Sequence, residues 1–440
     1  MTNVQNNPAL DHDGPIFAKA GEPFSGTITA WDAEGDATPN FGRESSLPDI
    51  QLQAQLIAPT APAGPVPLRS PDLTGTFASY AGGSGTSANL SWPEVGIIRI
   101  TPRVNNYMTS GVDIVGEPTG NVGRFTPAEL RLSMEVHPLF RAGCLSGSST
   151  YLGQPFSYMT APIVRVTAVN AAGATTVNYR GDFFKLTNAA FGNDWRKYNE
   201  ESMGMELVGA PDKSVDPVIA RQEDGSALLT FNSGPELRTA RGAPVAPFDS
   251  RVTLKINVKD ADNILASELD YMVTSAGASE ILFATTTPHQ FRYGRLAFRN
   301  ALGSELIDLP TPLRTEYFVN PATGFAVNTS DQCTTSPPIT LTGVDTCVRD
   351  VGAPGNSTAG CSAPSANPFR STALSGDFNL VLAAPGQGNH GIVELQAPTA
   401  PDWLKFDWDS TSAGEETPSG TATFGVFQGN SRRIDQRERY

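Results

Sequence analysis

The sequence predicts an all-β protein of tandem immunoglobulin-like β-sandwiches, and three observations lead to this fold class. Glycine (42) and proline (35) are frequent among the 440 residues, as is typical of many turns between short strands. Several short segments alternate apolar and polar side chains, which is the period of a half-buried strand. Helical patterns are weak, since the one beginning at Thr126 soon meets β-branched residues and only residues 194–201 could hold a single turn.

An internal repeat indicates two successive modules. Residues 21–25 read GEPFS and residues 153–157 read GQPFS. Both copies continue into the pattern T-A-x-[DN]-A-x-G-x-x-T-x-N-[FY], at residues 29–41 and 167–179. The pattern predicts a strand, then a turn made by an Asp or Asn and a glycine, then the start of a second strand. We therefore expect two sandwiches in tandem.

The first sandwich is expected to end near residues 92–101, with a core that includes Trp92, Val95, Ile98 and Ile100. Strands of the second sandwich are predicted at residues 227–231 and 252–258. The pattern then changes, and a third β-domain is predicted from its strands, at residues 291–298, 313–318, 378–382, 392–395 and 422–427.

These segments predict four divisions of the chain. Residues 1–14 are a flexible N-terminus, residues 15–130 and 131–288 are the two Ig-like β-sandwiches, and residues 289–440 are the C-terminal β-domain.

Charge and hydrophobicity exclude two classes of partner. The formal net charge is −14, and an acidic surface repels nucleic-acid phosphates. No apolar run approaches the roughly 20 residues of a membrane helix, so no membrane insertion is expected. The first residues lack the basic and apolar regions of a signal peptide. If the protein is exported, the chain is a mature protein, a fragment or an excised domain with a start Met, and we favour a fragment.

The four cysteines favour disulfides over a metal site. Cys144, Cys333, Cys347 and Cys361 form no C-x-x-C pair, and the four histidines are far apart, so a zinc site is not expected. Disulfides in an oxidising compartment are predicted, with four free thiols in a cytosolic protein as the alternative. Cys333 is expected to pair with Cys347 or Cys361, which ties a long loop of the C-terminal domain. Cys144 then joins the remaining cysteine or stays unpaired.

Two acidic clusters are candidate calcium sites, because carboxylate oxygens are the ligands that Ca²⁺ prefers. One contains Asp407, Asp409 and Glu415, and the other contains Asp260 and Asp262. The alternative for the first cluster is a solvated hairpin loop, and for the second an ordinary turn between strands. No other cofactor is predicted.

No motif predicts catalysis. Residues 386–391 match G-x-G-x-x-G, but a predicted strand rather than a helix follows, so we interpret them as a hairpin turn instead of a dinucleotide site. The nucleophile motifs G-x-S-x-G and S-x-x-K are absent from the sequence. His289 and His390 are expected at the surface or hydrogen-bonded in a core. The chain is thus predicted not to be an enzyme.

A series of motifs runs along most of the chain, at residues 38–44, 121–125, 150–156, 291–296, 303–306, 312–317, 403–409 and 422–429. These motifs resemble the C-terminal region of MshQ-type proteins, which are associated with biogenesis of the mannose-sensitive haemagglutinin (MSHA) type IV pilus. Their order is kept from about residue 15 to residue 440.

The resemblance implies a location more than a mechanism. We expect an extracellular or cell-surface protein of a Gram-negative bacterium, exported through an upstream signal. Its expected function is adhesin-like or in pilus biogenesis, presenting a binding surface to glycans or other cells, with pilus or other surface-filament components as partners. The alternatives are a structural subunit of a filament or sheath assembled through β-strand contacts, as a homo-oligomer, and a secreted all-β glycan hydrolase. The arginine-rich residues 432–440 are interpreted as an edge strand or a docking strand.

Overall fold

The structure is a computed structural model. It describes the chain except residues 1–10, 46, 61–63, 142, 144–148, 193–195, 211, 233–235, 268–278, 283–288, 343–369, 388–390, 411–413 and 426–440. The described residues form short β-strands joined by turns, with one four-residue α-helix at Asn188–Phe191 and 3-10 helices at Tyr107–Thr109, Gly181–Phe183 and Asp402–Leu404. The predicted all-β fold class is confirmed.

The first module is a sandwich of two sheets. Its strands are β1 (Ala18–Lys19), β2 (Phe24–Thr29), β3 (Ile50–Ala58), β4 (Ser79–Ala81), β5 (Ser84–Leu90), β6 (Gly96–Val104), β7 (Ile114–Val115) and β8 (Val122–Thr126). One sheet has the order β1-β8-β6-β3 with β7 also beside β6, and the other has the order β2-β5-β4. Apolar side chains from both sheets bury one another around Trp92 and Phe125.

The second module contains two five-stranded sheets. Its strands are β9 (Glu129–Val136), β10 (Leu139–Arg141), β11 (Ser149–Tyr151), β12 (Ser157–Thr160), β13 (Ile163–Val169), β14 (Arg196–Glu200), β15 (Glu206–Val208), β16 (Val218–Arg221), β17 (Ser226–Thr230), β18 (Arg238–Thr239), β19 (Phe248–Ser250), β20 (Val252–Ile256), β21 (Ala266–Ser267), β22 (Ser279–Leu282) and β23 (His289–Arg292). The facing sheets have the orders β16-β17-β13-β9-β21 and β18-β15-β14-β20-β22, and both contribute buried side chains to one core. A small sheet, β11-β23-β19, lies beside them.

The third module is smaller and more irregular. Its strands are β24 (Gly294–Phe298), β25 (Ala301–Gly303), β26 (Leu309–Pro310), β27 (Leu313–Asn320), β28 (Gly324–Val327), β29 (Thr340–Thr342), β30 (Val381–Leu382), β31 (Gly391–Gln396) and β32 (Ser419–Phe424). They form the sheets β24-β27-β28, β25-β32-β31-β29 and β26-β30. Leu296, Leu313, Leu395 and Phe424 belong to their shared core.

An early and a late strand of each module pair in parallel. β1 pairs with β8, β9 pairs with β21, and β25 pairs with β32. The small sheet repeats this arrangement, since β11 and β23 are also parallel. Each module is therefore closed by strands that lie near its two ends in sequence.

Several local predictions can be compared directly with the structure. The four predicted core residues of the first sandwich are all buried. Trp92, Ile98 and Ile100 belong to its core, whereas Val95 belongs to the core of the second module. The helical turn expected at residues 194–201 is wrong, because β14 occupies Arg196–Glu200, where Tyr198 and Arg196 are buried in strand geometry. The segment at residues 386–391 joins β30 and β31, which pair in different sheets, so the described strands do not form the predicted hairpin.

The repeat folds into the same turn in both sandwiches. The first residue of each turn, Asp32 or Asn170, accepts the backbone N–H four residues later through Oδ1, at 2.8 and 3.0 Å. It also accepts the N–H of a glycine, Gly35 or Gly173, and both glycines have positive φ. A left-handed residue is what this turn requires, and glycine meets that requirement without steric cost.

A third copy of this turn begins at Asp260 and escaped the sequence analysis. Asp260 Oδ1 accepts the N–H of Ile264 at 3.0 Å. Asn263 occupies the position of the repeat glycine, with φ +59°, because asparagine also tolerates the left-handed region. The missing glycine concealed the copy.

Candidate functional site

The predicted calcium cluster at Asp260 and Asp262 is engaged by protein groups. Asp260 accepts the N–H groups of Asp262 and Ile264 at 2.9 and 3.0 Å and the hydroxyl of Tyr179 at 2.8 Å. Burial raises the pKa of Asp260. Asp262 forms a two-pronged ion pair with Arg124, with one bond of 2.8 Å. The structure brings these two carboxylates together as parts of a turn and of an ion pair.

The other calcium candidates are spread over a surface loop. Glu415 accepts from Arg241 Nε at 2.7 Å, and Asp407 and Asp409 flank the exposed Trp408. Among the described residues, no group of three or more His, Cys, Asp or Glu side chains could hold a metal ion. Calcium binding stays a prediction.

The predicted disulfides fall largely outside the described residues. Cys333 is disulfide-bonded, and its sulfur lies 3.8 Å from the carbonyl oxygen of Gly143. Cys144, Cys347 and Cys361 are not among the described residues. The predicted connectivity therefore stays a prediction.

His289 is a buried, hydrogen-bonded core residue, one of the two environments predicted for it. Its Nε2 lies 2.8 Å from the hydroxyl of Thr150, and burial lowers its pKa to about 4. The ring is therefore neutral at pH 7. His390 lies outside the described residues.

The joint between the first and second modules is part of a hydrophobic core. Val95, just before β6 of the first sandwich, and Ile97, within it, belong to the same buried cluster as Val166 and Tyr179 of the second. Ile57 and Ala58 of β3 pack against this cluster. One edge of the first module therefore completes the core of the next.

A buried polar network surrounds that shared core. The Glu94 carboxylate accepts the N–H groups of Val177 and Asn178 at 3.4 and 3.2 Å. Asn178 also pairs with the backbone of Arg69, accepting its N–H at 2.9 Å and donating to its C=O at 2.8 Å. Burial raises the pKa of Glu94 to about 7, against the lowering effect of these N–H groups and of Arg69.

Two further contacts fix the same joint. The Arg124–Asp262 pair connects β8 of the first module with the third copy of the turn, and the side chains of Arg124 and Asp262 are 6% and 13% exposed. Ala171, in the second copy, donates its N–H to the carbonyl of Ala20 at 2.9 Å. Both turns at this end of the second module thus contact the first module.

The joint between the second and third modules is also buried. The Tyr151 hydroxyl donates to Asp331 at 2.8 Å and accepts from Asn328 Nδ2 at 2.6 Å. Arg241 of the second module stacks on Tyr293, 4.1 Å from the ring centre, and donates to the carbonyls of Gly294, Trp403 and Lys405. Buried charge and aromatic packing therefore fix this joint.

An open apolar groove lies at the other end of the first module. Its volume is about 520 Å³, within the ~300–1,000 Å³ range of ligand sites. β2 and the residues after it form one wall, and β7 forms the other. The lining side chains are mostly apolar or aromatic and include Ile28, Trp31, Phe41, Ile50, Val104, Tyr107, Ile114 and Val115. Trp31 is 55% exposed, so we name this surface the Trp31 face.

Polar atoms and backbone strain accompany the groove. Tyr107 donates to Glu44 Oε1 at 2.7 Å, whereas Glu44 Oε2 and Arg103 Nε are buried with no hydrogen-bond partner among the described residues. Met108 and Thr109 have φ near +50°, which is strained for residues with such side chains. Both features lie beside the groove, and each calls for an explanation from its surroundings.

Sequence reasoning did not identify the Trp31 face or the joints. Trp31 was visible in the repeat, at a position where the second copy has Val169. A tryptophan aligned with a smaller apolar residue in the other copy of a repeat is the sequence signal that could have located this face. Arg124 and Asp262 are 138 residues apart in sequence, and no local pattern connects them.

Comparisons with known proteins give a family and two distant structural likenesses. Family models match residues 1–90, 94–286 and 292–439 as the second, third and fourth domains of DUF6701. The division between the first two matches falls inside the first sandwich, between β5 and β6. The predicted divisions of the chain stay predictions.

Among solved structures, the chain is similar to invasin, a bacterial integrin-binding protein, with 11% identity, a TM-score of 0.22, and coverage of 87% of this chain and 55% of invasin. The human desmocollin-1 ectodomain gives 8% identity, a TM-score of 0.22, and coverage of 94% and 62%. The chain thus spans less than two thirds of either protein. No curated protein matches the sequence.

Within the described part of the chain, no helix is long and apolar enough to cross a membrane. The three family models together span nearly all 440 residues. The chain therefore belongs to the DUF6701 family, of which it carries the second, third and fourth domains.

Proposed function

We propose that this chain is the stiff stalk of an adhesin-like protein displayed on the surface of a Gram-negative bacterium, in association with a type IV pilus. In this role it holds a binding surface at a fixed distance and orientation. The sequence resemblance to MshQ-type proteins supports the location. The proposed role needs no catalytic step, so we propose a binding protein rather than an enzyme.

The observation that carries the proposal is the sharing of a core across the first joint. Val95 and Ile97 are counted among the buried residues of the second module's core, so bending at this joint would expose them to water. Fully burying one such side chain is worth about 1.5–3 kcal/mol. The hydrogen bonds of Glu94 and Arg124 across the joint also fix the orientation of the two modules.

Rigid joints distinguish a stalk from a flexible chain of domains. Interfaces between domains are commonly polar and allow relative motion. Here both joints contain buried side chains that come from both neighbouring modules, such as Ile97 in the first and Tyr151 in the second. We expect the three modules to move as one body.

Hydrogen exchange on the intact chain tests the stiffness. The amides of Val177 and Asn178, which bind Glu94, should exchange as slowly as those of the core strand β13. Exchange at the rate of exposed turns such as residues 32–36 would contradict the proposal, because it would mean that the joint opens. The turn at residues 32–36 serves as the internal reference for a free surface.

Two further measurements test the location and the binding role. Antibodies against the chain should label intact bacteria, and labelling of permeabilised cells alone would contradict surface display. Purified chain incubated with a panel of bacterial glycans should release no reducing sugar. Release of sugar at a rate that depends on the chain would favour the hydrolase alternative.

A further inference from the structure

We infer that the Trp31 face is itself a module joint, whose partner is a further β-module of the same family packed ahead of the first sandwich. The inference deepens the proposed stalk function, on which it rests. It follows from comparing two copies of one repeat, because a shift of 138 positions superposes residues 29–41 on residues 167–179.

The two copies have the same backbone hydrogen bonds but differ in exposure at three matched positions. In the second module, the face that carries the repeat is covered by the first module, and Val169, Val177 and Asn178 are all buried. In the first module the corresponding residues are Trp31, Pro39 and Asn40, and all three are exposed. Val169 is 3% exposed and Trp31 is 55% exposed. The first module thus presents, uncovered, the face that its neighbour uses as a joint.

The groove of the first module lies at the position where, in the second module, side chains of the neighbouring module fill the joint. Ile28 of the groove floor corresponds to Val166, which is packed in the cluster that Val95 and Ile97 complete from the neighbouring module. In the first module, no described residue of a neighbouring module covers the position of Ile28. A groove of about 520 Å³ is found there instead. Its size and apolar lining suit the entry of aliphatic side chains from another β-module.

The chemistry of the partner follows from the same correspondence. Asn178 pairs with both backbone groups of one residue, Arg69, so we expect Asn40 to pair with an exposed backbone N–H and C=O of the partner. The two modules differ at two matched positions. Pro39 has no N–H to give to a carboxylate such as Glu94, and Gly42 stands where Arg180 donates to the carbonyl of Val66 at 2.9 Å. The larger Trp31 ring replaces those polar bonds with apolar area.

Charge and family order favour this partner over others. The turn after Trp31 carries Asp32, Glu34 and Asp36, all exposed, so a module whose joint edge is neutral or basic fits better than an acidic one. The family models number the matched domains from the second to the fourth. In the family order, a first domain comes before the domain that residues 1–90 match.

Radical footprinting of two proteins tests the inference. One is the 440-residue chain, and the other is the same chain extended at its N-terminus by the first domain of the family. In the extended protein, oxidation of Trp31 should fall to the level of the buried Trp92. Trp408, which is 39% exposed in the third module, should react equally in both proteins and serves as the reference. Equal oxidation of Trp31 in the two proteins would overturn the inference.

A matched pair of variants checks that the face is responsible. In the extended protein, Trp31→Glu should restore rapid hydrogen exchange around residues 38–41. Ile307→Glu, at a third-module site that is 69% exposed, should leave that exchange unchanged. If Trp31→Glu has no effect beyond that of Ile307→Glu, the face is not a joint.

Other occupants give different results. Sedimentation of the 440-residue chain as a dimer that Trp31→Glu dissociates would mean that the face binds a second copy. Binding to a glycan array that is lost in Trp31→Glu would mean that the groove is a sugar site. Either result overturns the inference. The stalk proposal fails separately, if the amides of Val177 and Asn178 exchange rapidly in the 440-residue chain.

Discussion

The two copies of the repeat differ in what covers them rather than in how they fold. Residues 32–36 and 170–174 form the same hydrogen-bonded turn, yet Asp32 is exposed whereas its counterpart Asn170 is buried. The Asp or Asn and the glycine determine the local backbone. Burial of the same face is decided by a neighbouring module, through residues that lie in another part of the chain.

The buried ion pair at the covered face should give the largest effect on stability. Arg124→Ala leaves Asp262 without its partner in a site almost inaccessible to water, so we expect a loss of about 3–5 kcal/mol in the free energy of unfolding. Urea denaturation measures it. Arg103→Ala removes the more exposed Arg103–Asp113 pair and should cost about 0–1 kcal/mol. Equal losses in the two variants would show that the joint does not bury its ion pair.

Substitutions of Asn178 and of its counterpart Asn40 should distinguish the covered face of the second module from the exposed Trp31 face most directly. Asn178→Ala removes two hydrogen bonds to the Arg69 backbone and should lower the free energy of unfolding by about 1–3 kcal/mol. Asn40→Ala, at the corresponding exposed position, should change it by less than about 0.5 kcal/mol. Thermal or urea unfolding of both variants gives the comparison. A large loss in Asn40→Ala would mean that its face is already covered in this chain.

The stability that the covered face contributes should also depend on pH. Burial raises the pKa of Glu94 from 4.5 to about 7, so the folded protein binds a proton that the unfolded chain releases. The stability linked to this proton is fully present below pH 4.5 and is lost as the pH rises through about 7. Between pH 6 and pH 8 the free energy of unfolding should therefore fall by about 1 kcal/mol. In Glu94→Gln this contribution should be absent, and an unchanged pH dependence would contradict the assignment to Glu94.

A substitution on the exposed Trp31 face should have the smallest effect on stability. Trp31→Ser in the 440-residue chain should change the free energy of unfolding by less than about 0.5 kcal/mol, because the ring is more than half in water. Calorimetry of the variant against the unmodified chain measures this. A loss of several kcal/mol would mean that the ring supports the first sandwich itself.

Local sequence patterns predicted the local structure well. The strands predicted at residues 227–231, 252–258, 313–318 and 392–395 correspond to β17, β20, β27 and β31. The repeat predicted a turn that the structure repeats almost bond for bond. Residues 194–201 were misjudged as a helical turn because their pattern is short, whereas pairing with β20 holds Arg196–Glu200 as a strand. Tertiary pairing overrides weak local preference.

Patterns of residues that are neighbours in sequence could not predict the joint between the first and second modules. Glu94, Asn178 and Arg69 meet only because two sandwiches pack end to end. The third copy of the turn is concealed by Asn263, which replaces a glycine without changing the conformation. Pairing across modules depends on fold geometry, and one sequence does not display that geometry.

The parallel pairing of β1 with β8 has a consequence for mechanical load. Ala18 lies opposite Phe125, and Lys19 lies opposite Thr126. Tension applied to the two ends of the module slides these strands along each other, so their hydrogen bonds carry the force together instead of breaking in succession. β25 and β32 repeat this shear geometry. In the proposed stalk, tension along the chain acts in this direction.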